Sequence, residues 1–278
     1  MKRNIWGLNL QELETWVVGN GFPRFRAKQL RDYLYKRHIF HFDEMTQFSQ
    51  KMRDWLKENG QIDKPVIISR AQSDDEKTIK LLLKLKDGSL VETVCMCHHY
   101  GNSICVSTQV GCAMGCIFCA STRKGLERNL TAGGIISQKQ TFKKITAGEI
   151  LAQMYAFKEL YDIPFHSIVL MGAGEPLTNY EEVLHFIHLA NDPELLNISY
   201  RNITISTCGI VPQIYRLADE NIPITLAISL HAPNDRIRNV LVPISKNFRI
   251  KDVVSAAEYY FKKTKRRVTF EYILIKDM

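Results

Sequence analysis

The stretch GCAMGCIFCAST at residues 111–122 decides how the rest of the sequence is interpreted. Its cysteines, Cys112, Cys116 and Cys119, have the spacing C-x3-C-x2-C, and the glycines beside them indicate a loop. Three thiolates on one loop can bind three irons of a [4Fe–4S] cluster and leave the fourth iron open to a substrate. A structural zinc ion would need a fourth ligand, which Cys105 or the Cys and His residues at 95–99 could supply. The spacing predicts a metal centre and favours a cluster over zinc.

Apolar strands alternate with helices around and after this loop. Strands are predicted at 104–107, 167–171, 202–206, 224–230 and 268–275. Helices are predicted near 146–161, 180–190, 211–219 and 251–262. Repeated strand–helix units with apolar strands are typical of a parallel α/β sheet or barrel.

The first hundred residues have a different pattern. Helical periodicity at 11–18, 25–36 and 50–58 gives way to strand-like segments at 66–68, 79–85 and 90–94, with Asp87-Gly88 as a hairpin turn. We therefore expect three units. These are a helical domain of RNA-binding type at 1–62, a β-hairpin extension at 63–103 that leads into the core, and an α/β core at 104–278.

The composition is that of an ordinary globular protein, with 45% hydrophobic and 24% charged residues in 278. No apolar stretch approaches the roughly 20 residues of a membrane span, and the N-terminus does not resemble a signal peptide, so a cytoplasmic protein without membrane association is expected. The net charge of +8 favours a polyanionic partner such as RNA, and the run KKTKRR at 262–267 adds to it. Six of the seven cysteines lie between Cys95 and Cys119, which indicates metal or thiol chemistry.

Polar residues follow three predicted strands in succession. The loop MGAGEP at 171–176 follows the first, and its glycines would let backbone approach a ligand closely. Ser206 ends the next strand, and Ser229, Leu230 and His231 end the one after it. Because ligands bind at the carboxyl ends of parallel strands, these residues are expected to form one pocket with the cysteine loop.

Five motifs in order carry a resemblance to a known family. QVGCAMGCIFCAST, GLERNLTAGEI (interrupted in this chain), MGAGEPL, ISTCGIVP and AISLHAPND resemble the RlmN-like 23S rRNA and tRNA adenine-C2 methyltransferases of the radical S-adenosylmethionine (SAM) superfamily. The resemblance implies a partial (β/α)6 radical-SAM barrel that lacks its last strand, preceded by a small helical domain. It also implies a [4Fe–4S] cluster and SAM as cofactors, 23S rRNA and tRNA as partners, an electron donor such as flavodoxin, and a monomer.

The same resemblance implies roles for individual residues. Glu92 would remove the proton from the adenine carbon, and Cys105 would resolve a covalent intermediate by forming a disulfide. Read without the family, Glu92 alternates with Val91 and Thr93, which favours a solvent-facing strand residue. Cys95, Cys97 and Cys208 have no implied role, and burial as small apolar side chains is expected for them. The residues matching SAM contacts are Gly174, Glu175, Ser206, Ser229, Leu230 and His231.

The sequence also departs from the family. The family's methyl-carrying cysteine lies in a C-terminal segment, whereas no cysteine follows Cys208 here, and a sixth strand with a SAM-contacting Asn is missing too. A truncated chain that binds a cluster without completing methyl transfer is therefore expected. The segment LTAGGI at 130–135 is echoed by ITAGEI at 145–150, which predicts an insertion near 134–147. Two alternatives remain: a sister enzyme that methylates C8 of adenine, and a non-catalytic RNA-binding protein with a structural zinc.

Overall fold

The N-terminal part of the chain is helical. The structure is a computed structural model, and it describes residues 2–128, 145–161 and 163–276. A strand β1 pairs in parallel with a strand β2, and three helices lie between them. The three helices were predicted, whereas the two-residue strands were not. The bounds are β1 (Arg3–Asn4), α1 (Leu10–Gly19), α2 (Phe25–Tyr35), α3 (Gln50–Asn59) and β2 (Gly60–Gln61).

Capping residues fix where two of these helices begin. The Asn9 side chain accepts a hydrogen bond from the Glu12 N–H, and the Glu12 carboxylate accepts one from the Asn9 N–H, which is a capping box at α1. Ser49 caps α3 by accepting from the Met52 N–H. The buried faces of the helices join the same hydrophobic core as the strands that follow.

Four antiparallel strands come next. They are β3 (Val66–Gln72), β4 (Thr78–Lys84), β5 (Leu90–His98) and β6 (Gly101–Cys105). The predicted turn at Asp87-Gly88 joins β4 to β5, and Gly88 has the positive φ of +89° that such a turn needs. The strand predicted at 104–107 begins earlier, at Gly101, because a tight turn pairs Gly101 with His98.

The rest of the chain completes one mixed sheet. β6 pairs in parallel with β9, and the strand order is β12-β11-β10-β9-β6-β5-β4-β3. The five strands β6 and β9–β12 are therefore parallel, and the predicted α/β class is confirmed. The elements are β7 (Val110–Gly111), β8 (Leu126–Arg128), α4 (Ala147–Tyr161), β9 (Phe165–Leu170), α5 (Tyr180–Asn191), β10 (Ile203–Thr207), α6 (Val211–Asp219), β11 (Thr225–Ser229), α7 (Asp235–Leu241), α8 (Ile250–Thr264) and β12 (Val268–Glu271).

Two details differ from the sequence-based expectation, and one further prediction falls outside the described residues. Helix α7 was not predicted. The strand predicted at 268–275 ends at Glu271, because its neighbour β11 ends at Ser229 and the Leu230 and His231 N–H groups both donate to the Glu271 carbonyl. The insertion predicted near 134–147 falls almost entirely outside the described residues.

The two faces of the parallel strands have different chemistry. Ile104, Ile168 and Ile203 are paired in register and fully buried. Because side chains alternate along a strand, Ser206 on β10 and Ser229 on β11 lie on the opposite face, and Glu271 on β12 is in register with Ser229. The carboxyl ends of these strands thus carry a polar group. Among the described residues, no helix has the length and apolar character needed to cross a bilayer.

Candidate active site

The three cysteines of the loop line one cavity of about 210 Å³ together with residues from four strand ends. The loop is held by its own backbone: the Cys119 N–H donates to the Cys116 carbonyl, and the Thr122 hydroxyl donates to both carbonyls, at 3.1 Å for Cys116 and 2.9 Å for Cys119. Gly115 has a φ of +72°, a conformation that glycine adopts without strain. The structure thus brings the cysteine loop and the strand ends together around one cavity, as the sequence predicts.

Burial keeps two thiols of the loop, those of Cys112 and Cys116, protonated at neutral pH in the metal-free protein. It raises the pKa of both Cys112 and Cys116 to about 11. The charges of neighbouring thiols and of Glu175 add to the effect. Thiolates lining one cavity repel one another, and a bound metal cluster would neutralise that charge.

Helix α7 contacts the cysteine loop through a backbone hydrogen bond. The Ile117 N–H donates to the Leu241 carbonyl at 3.1 Å. Arg238 on the same helix is fully buried. Its guanidinium donates to the carbonyls of Cys208 at 2.6 Å and Leu230 at 3.1 Å, which follow β10 and β11. This arginine therefore connects two strand ends to the helix on which the loop rests, and no sequence pattern pointed to it.

The glycines of the loop at 171–176 serve a close approach between two protein segments. A Cβ on Gly172 would lie 2.7 Å from the Ser107 hydroxyl, and one on Gly174 would lie 2.6 Å from the Gln109 Cβ. Gly174 also has a φ of +110°. Both glycines also line the cavity, so the close approach to a ligand stays a prediction, and the structure adds that they are packed against the segment that follows β6.

Glu175 is buried and braces the site. Its carboxylate accepts hydrogen bonds from the Cys208 N–H at 2.8 Å and the Leu177 N–H at 3.1 Å, and its own N–H donates to the Gln109 side chain. Burial raises the pKa of Glu175, and the bond from the Cys208 N–H partly offsets the rise. The carboxylate thereby ties the glycine loop to the end of β10.

A carboxylate that sequence reasoning missed lies at the end of the edge strand β12. Glu271 accepts hydrogen bonds from the Ser229 hydroxyl at 2.9 Å and the Ser206 hydroxyl at 3.1 Å, and all three line the cavity. Ser206 and Ser229 were predicted because each is a polar residue at the end of a parallel strand. The same rule would have identified Glu271 if the last strand had been predicted to end at residue 271 rather than at 275.

His231 and Leu230 occupy different positions. His231 lines the cavity, has a φ of +58°, and packs edge-on against the Phe118 ring at 4.9 Å. A left-handed conformation in a residue other than glycine is typical of functional sites. Burial lowers the pKa of the imidazole, which favours its neutral form. Leu230 meets the site through its backbone, where its carbonyl accepts from Arg238.

Glu92 and Cys105 lie outside this cavity. Glu92 is 55% exposed, forms an ion pair with Lys80 at 2.9 Å, and lines a separate groove of about 580 Å³ with Arg123 and Lys124. Cys105 is half-buried, and burial raises the pKa of its thiol while a hydrogen bond from the Met171 backbone opposes the rise. Strand pairing puts Cys105 opposite Val94, so alternation puts Glu92 on the same face as Cys105.

The remaining cysteines differ in their surroundings. Cys95 is fully buried, as expected, and burial beside Cys97 raises the pKa of its thiol to about 12. Cys97 is half-buried on the same strand. Cys208 is buried and lines the cavity of the cysteine loop, which its sequence context did not indicate.

Comparisons with known proteins identify the family that this chain resembles. The profile of the Radical SAM superfamily matches residues 106–278, and that of the ribosomal RNA large subunit methyltransferase N-terminal domain matches residues 3–62. A probable dual-specificity RNA methyltransferase RlmN from Clostridium novyi is 46% identical over 99% of this chain and 76% of its own length. The one from Staphylococcus aureus strain JH9 is 45% identical over 98% and 71%. A radical SAM methyltransferase from Sphaerobacter thermophilus superposes with a TM-score of 0.87 at 38% identity, covering 99% of this chain and 77% of the other.

Proposed function

The chain belongs to the RlmN family of radical SAM RNA methyltransferases, and we propose that it methylates C2 of adenine in 23S rRNA and tRNA with SAM as the methyl donor. One observation carries the proposal. The cavity of about 210 Å³ brings Cys112, Cys116 and Cys119 together with the polar ends of three parallel strands. A thiol loop beside polar strand ends suits a cluster and a polar cofactor bound next to it.

The loop is proposed to hold a [4Fe–4S] cluster. Among the described residues, no three His, Cys, Asp or Glu side chains lie close enough together to share one metal ion. In a cubane cluster each thiolate binds a different iron, so the thiolates stand farther apart than around a single ion. Cys112, Cys116 and Cys119 would hold the cluster, and the bound cluster supplies the electron for reductive cleavage of SAM. An electron donor such as flavodoxin would reduce it.

SAM would bind at the strand ends. Gly174 and Glu175 are proposed to receive its methionine end, with Ser206, Ser229 and the segment at 230–231 along the rest of the molecule. Ser206 and Ser229 offer hydroxyls that Glu271 already orients. Polar groups held in place before a ligand arrives bind it at lower entropic cost.

Glu92 and Cys105 are proposed to act on the RNA. The Glu92 carboxylate would accept the proton from the adenine carbon. The adduct's sulfur would belong to the family's methyl-carrying cysteine, which is not among the seven cysteines of this sequence. With that cysteine supplied, the Cys105 thiolate would attack its sulfur, so that a sulfur–sulfur bond forms as the sulfur–carbon bond to the product breaks and the released carbon takes up a proton. The raised pKa of Cys105 means that its proton must leave before this attack. The groove shared by Glu92, Arg123 and Lys124 gives a phosphate-bearing substrate cations beside the carboxylate.

Product analysis tests the proposal. The reconstituted protein is incubated anaerobically with SAM, a reductant and either tRNA or a 23S rRNA fragment, and the digested RNA is analysed by mass spectrometry against standards. Because residues 1–278 contain no counterpart of the family's methyl-carrying cysteine, we expect 2-methyladenosine when the C-terminal segment of an RlmN relative is joined to this chain, and none with the Glu92→Gln variant of the joined protein, whose SAM binding is unchanged. Residues 1–278 alone should bind cluster and SAM without forming methylated adenosine. The appearance of 8-methyladenosine would favour the sister class. Absence of any methylated adenosine from the joined protein loaded with cluster and SAM would overturn the proposal.

A further inference from the structure

The antiparallel strands that precede the parallel core have one buried face and one exposed face. Along β4 the exposed Lys80 and Lys84 alternate with buried residues such as Leu81, and along β5 the exposed Leu90 and Glu92 alternate with buried residues in the same way. The exposed face that carries Lys80, Lys84, Leu90 and Glu92 is here called the outer face. A substrate for Glu92 must approach from this side.

We propose that Lys80 changes its partner when RNA binds. In the free protein its ammonium is paired with the Glu92 carboxylate. In the complex it binds a phosphate of the RNA, which leaves the carboxylate free to accept the proton from the adenine carbon. The proposal rests on the role proposed above for Glu92, and it makes Lys80 a positioning residue for that reaction.

The strand register holds the two side chains together. Lys80 is opposite Val94 and Leu82 is opposite Glu92, so the ion pair runs diagonally across the outer face. Diagonal neighbours on one face of an antiparallel pair are within the reach of long side chains. The Lys80 Nζ donates to the Glu92 Oε1 at 2.9 Å. A general base must be within hydrogen-bond reach of the proton that it removes, and this oxygen is bound to the ammonium instead.

The ion pair is easily exchanged. The side chains of Lys80 and Glu92 are 47% and 55% exposed. An ion pair in such contact with water contributes little to stability, because water solvates both charges well and salt screens them. A phosphate offers the ammonium a negative charge of its own, and binding it releases counterions from the nucleic acid. Exchange of the carboxylate for a phosphate therefore costs little and gains from counterion release.

A groove beside the pair has the charge to receive the phosphate. It has a volume of about 580 Å³, and its lining includes Glu92 together with the cationic Arg123 and Lys124. In the free protein Lys80 neutralises Glu92, so the groove presents the charge of the other two side chains to an incoming polyanion. Once a phosphate has taken Lys80, the carboxylate stands unpaired beside that polyanion. Accepting a proton removes its charge and relieves the repulsion, so RNA binding prepares Glu92 to act as a base.

The salt dependence of RNA binding tests the exchange. The full chain, reconstituted anaerobically, is titrated with fluorescein-labelled tRNA at several KCl concentrations. Each lysine–phosphate contact adds about 0.7–0.9 to the slope of the logarithm of the binding constant against that of the salt concentration. We expect Lys80→Met to lower the slope by this amount. Glu92→Gln should keep the wild-type slope and bind tRNA about two- to fivefold tighter, because no carboxylate competes with the phosphate for Lys80.

Lys64→Met is the matched control. Lys64 forms an ion pair with Glu159 of α4 at 2.5 Å, and these side chains are exposed to a similar degree. Helix α4 lies on the other face of the sheet, where Arg70, the strand partner of the buried Leu81, stands 5.0 Å from the centre of the Tyr161 ring. This variant should keep the wild-type slope.

Two results would overturn the proposal. A wild-type slope in Lys80→Met would mean that Lys80 binds no phosphate. A slope in Glu92→Gln that is steeper than wild type by about 0.7–0.9 would mean that the ion pair persists in the wild-type complex and that only the variant frees the lysine. These outcomes are distinct from a failure of the proposed methylation, because tRNA binding needs neither SAM nor a methyl-carrying cysteine.

Turnover of the joined protein tests the release of the base. Lys80→Met should raise the KM for tRNA at least threefold and leave kcat within twofold of wild type, because Glu92 is then unpaired from the start. A kcat lowered at least tenfold would contradict the exchange, since it would mean that Glu92 needs Lys80 during the reaction.

Discussion

Replacing Arg238 by methionine tests whether this arginine holds the active-site strands together. The side chain is fully buried, and its two shortest hydrogen bonds join the carbonyls of Cys208 and Leu230. Methionine fills a similar volume and donates no hydrogen bond. The carbonyls that follow β10 and β11 would then lose their common partner.

The size of the effect follows from these bonds. A hydrogen bond to a charged group contributes about 1.5–3 kcal/mol, and we use the lower bound because burial makes the guanidinium costly to desolvate. Two such bonds give a loss of about 3 kcal/mol in the free energy of unfolding. At about 2–4 °C for each kcal/mol in a chain of this size, the midpoint of thermal unfolding should fall by roughly 6–12 °C.

Thermal unfolding followed by circular dichroism measures this directly. Arg236→Met is the matched control, because Arg236 is exposed on the same helix, and its midpoint should change by less than about 2 °C. Equal midpoints for the two variants would refute the reasoning. So would a melting temperature of Arg238→Met above that of the wild-type chain.

Three further predictions follow from the site. Alkylation of Cys112 and Cys116 in the metal-free protein should accelerate about tenfold with each pH unit up to about pH 11, because only the thiolate reacts and burial raises the pKa of both thiols to about 11. Gly174→Ala should cost at least about 2 kcal/mol in the free energy of unfolding, since φ is +110° and the new Cβ would lie 2.6 Å from that of Gln109. Glu271→Gln should weaken SAM binding about tenfold in equilibrium dialysis, because both serine hydroxyls lose a charged acceptor.

Each of these predictions has a control variant or a result that would contradict it. Alkylation rates that are flat between pH 7 and pH 9 would contradict the raised pKa values. Gly19→Ala, at an open position at the end of α1, should lower the free energy of unfolding by less than about 0.5 kcal/mol. An equally small loss for Gly174→Ala would contradict the prediction that its close contacts matter. Glu258→Gln, on an exposed face of α8, should bind SAM as the wild-type chain does.

The sequence predicts what depends on local pattern. The three N-terminal helices and the strand–helix alternation appear because apolar periodicity and capping residues such as Asn9 and Ser49 act over a few neighbours. The cysteine loop and the serines at the ends of β10 and β11 were found in the same way. Parallel strands bring their carboxyl ends to one edge of the sheet, so the meeting of these residues needed no knowledge of tertiary contacts.

What the sequence did not predict depends on tertiary contacts. Helix α7 is short, and burial of Arg238 against distant carbonyls holds it, which hydrophobic periodicity does not register. The run after Glu271 has strand-forming residues, yet pairing with β11 stops there. Glycine in the loop at 171–176 indicated close approach, but the packing of the segment at 107–109 against it is seen only in three dimensions.

Metal analysis tests the central claim most directly, namely that Cys112, Cys116 and Cys119 hold a [4Fe–4S] cluster. Iron, acid-labile sulfide and zinc are measured in the same anaerobically reconstituted sample of the wild-type chain and of Cys116→Ala. The account predicts about four iron and four sulfide for each wild-type chain, no bound zinc, and loss of most of the iron in the variant. One zinc without sulfide in the wild-type chain, or unchanged iron in the variant, would contradict it.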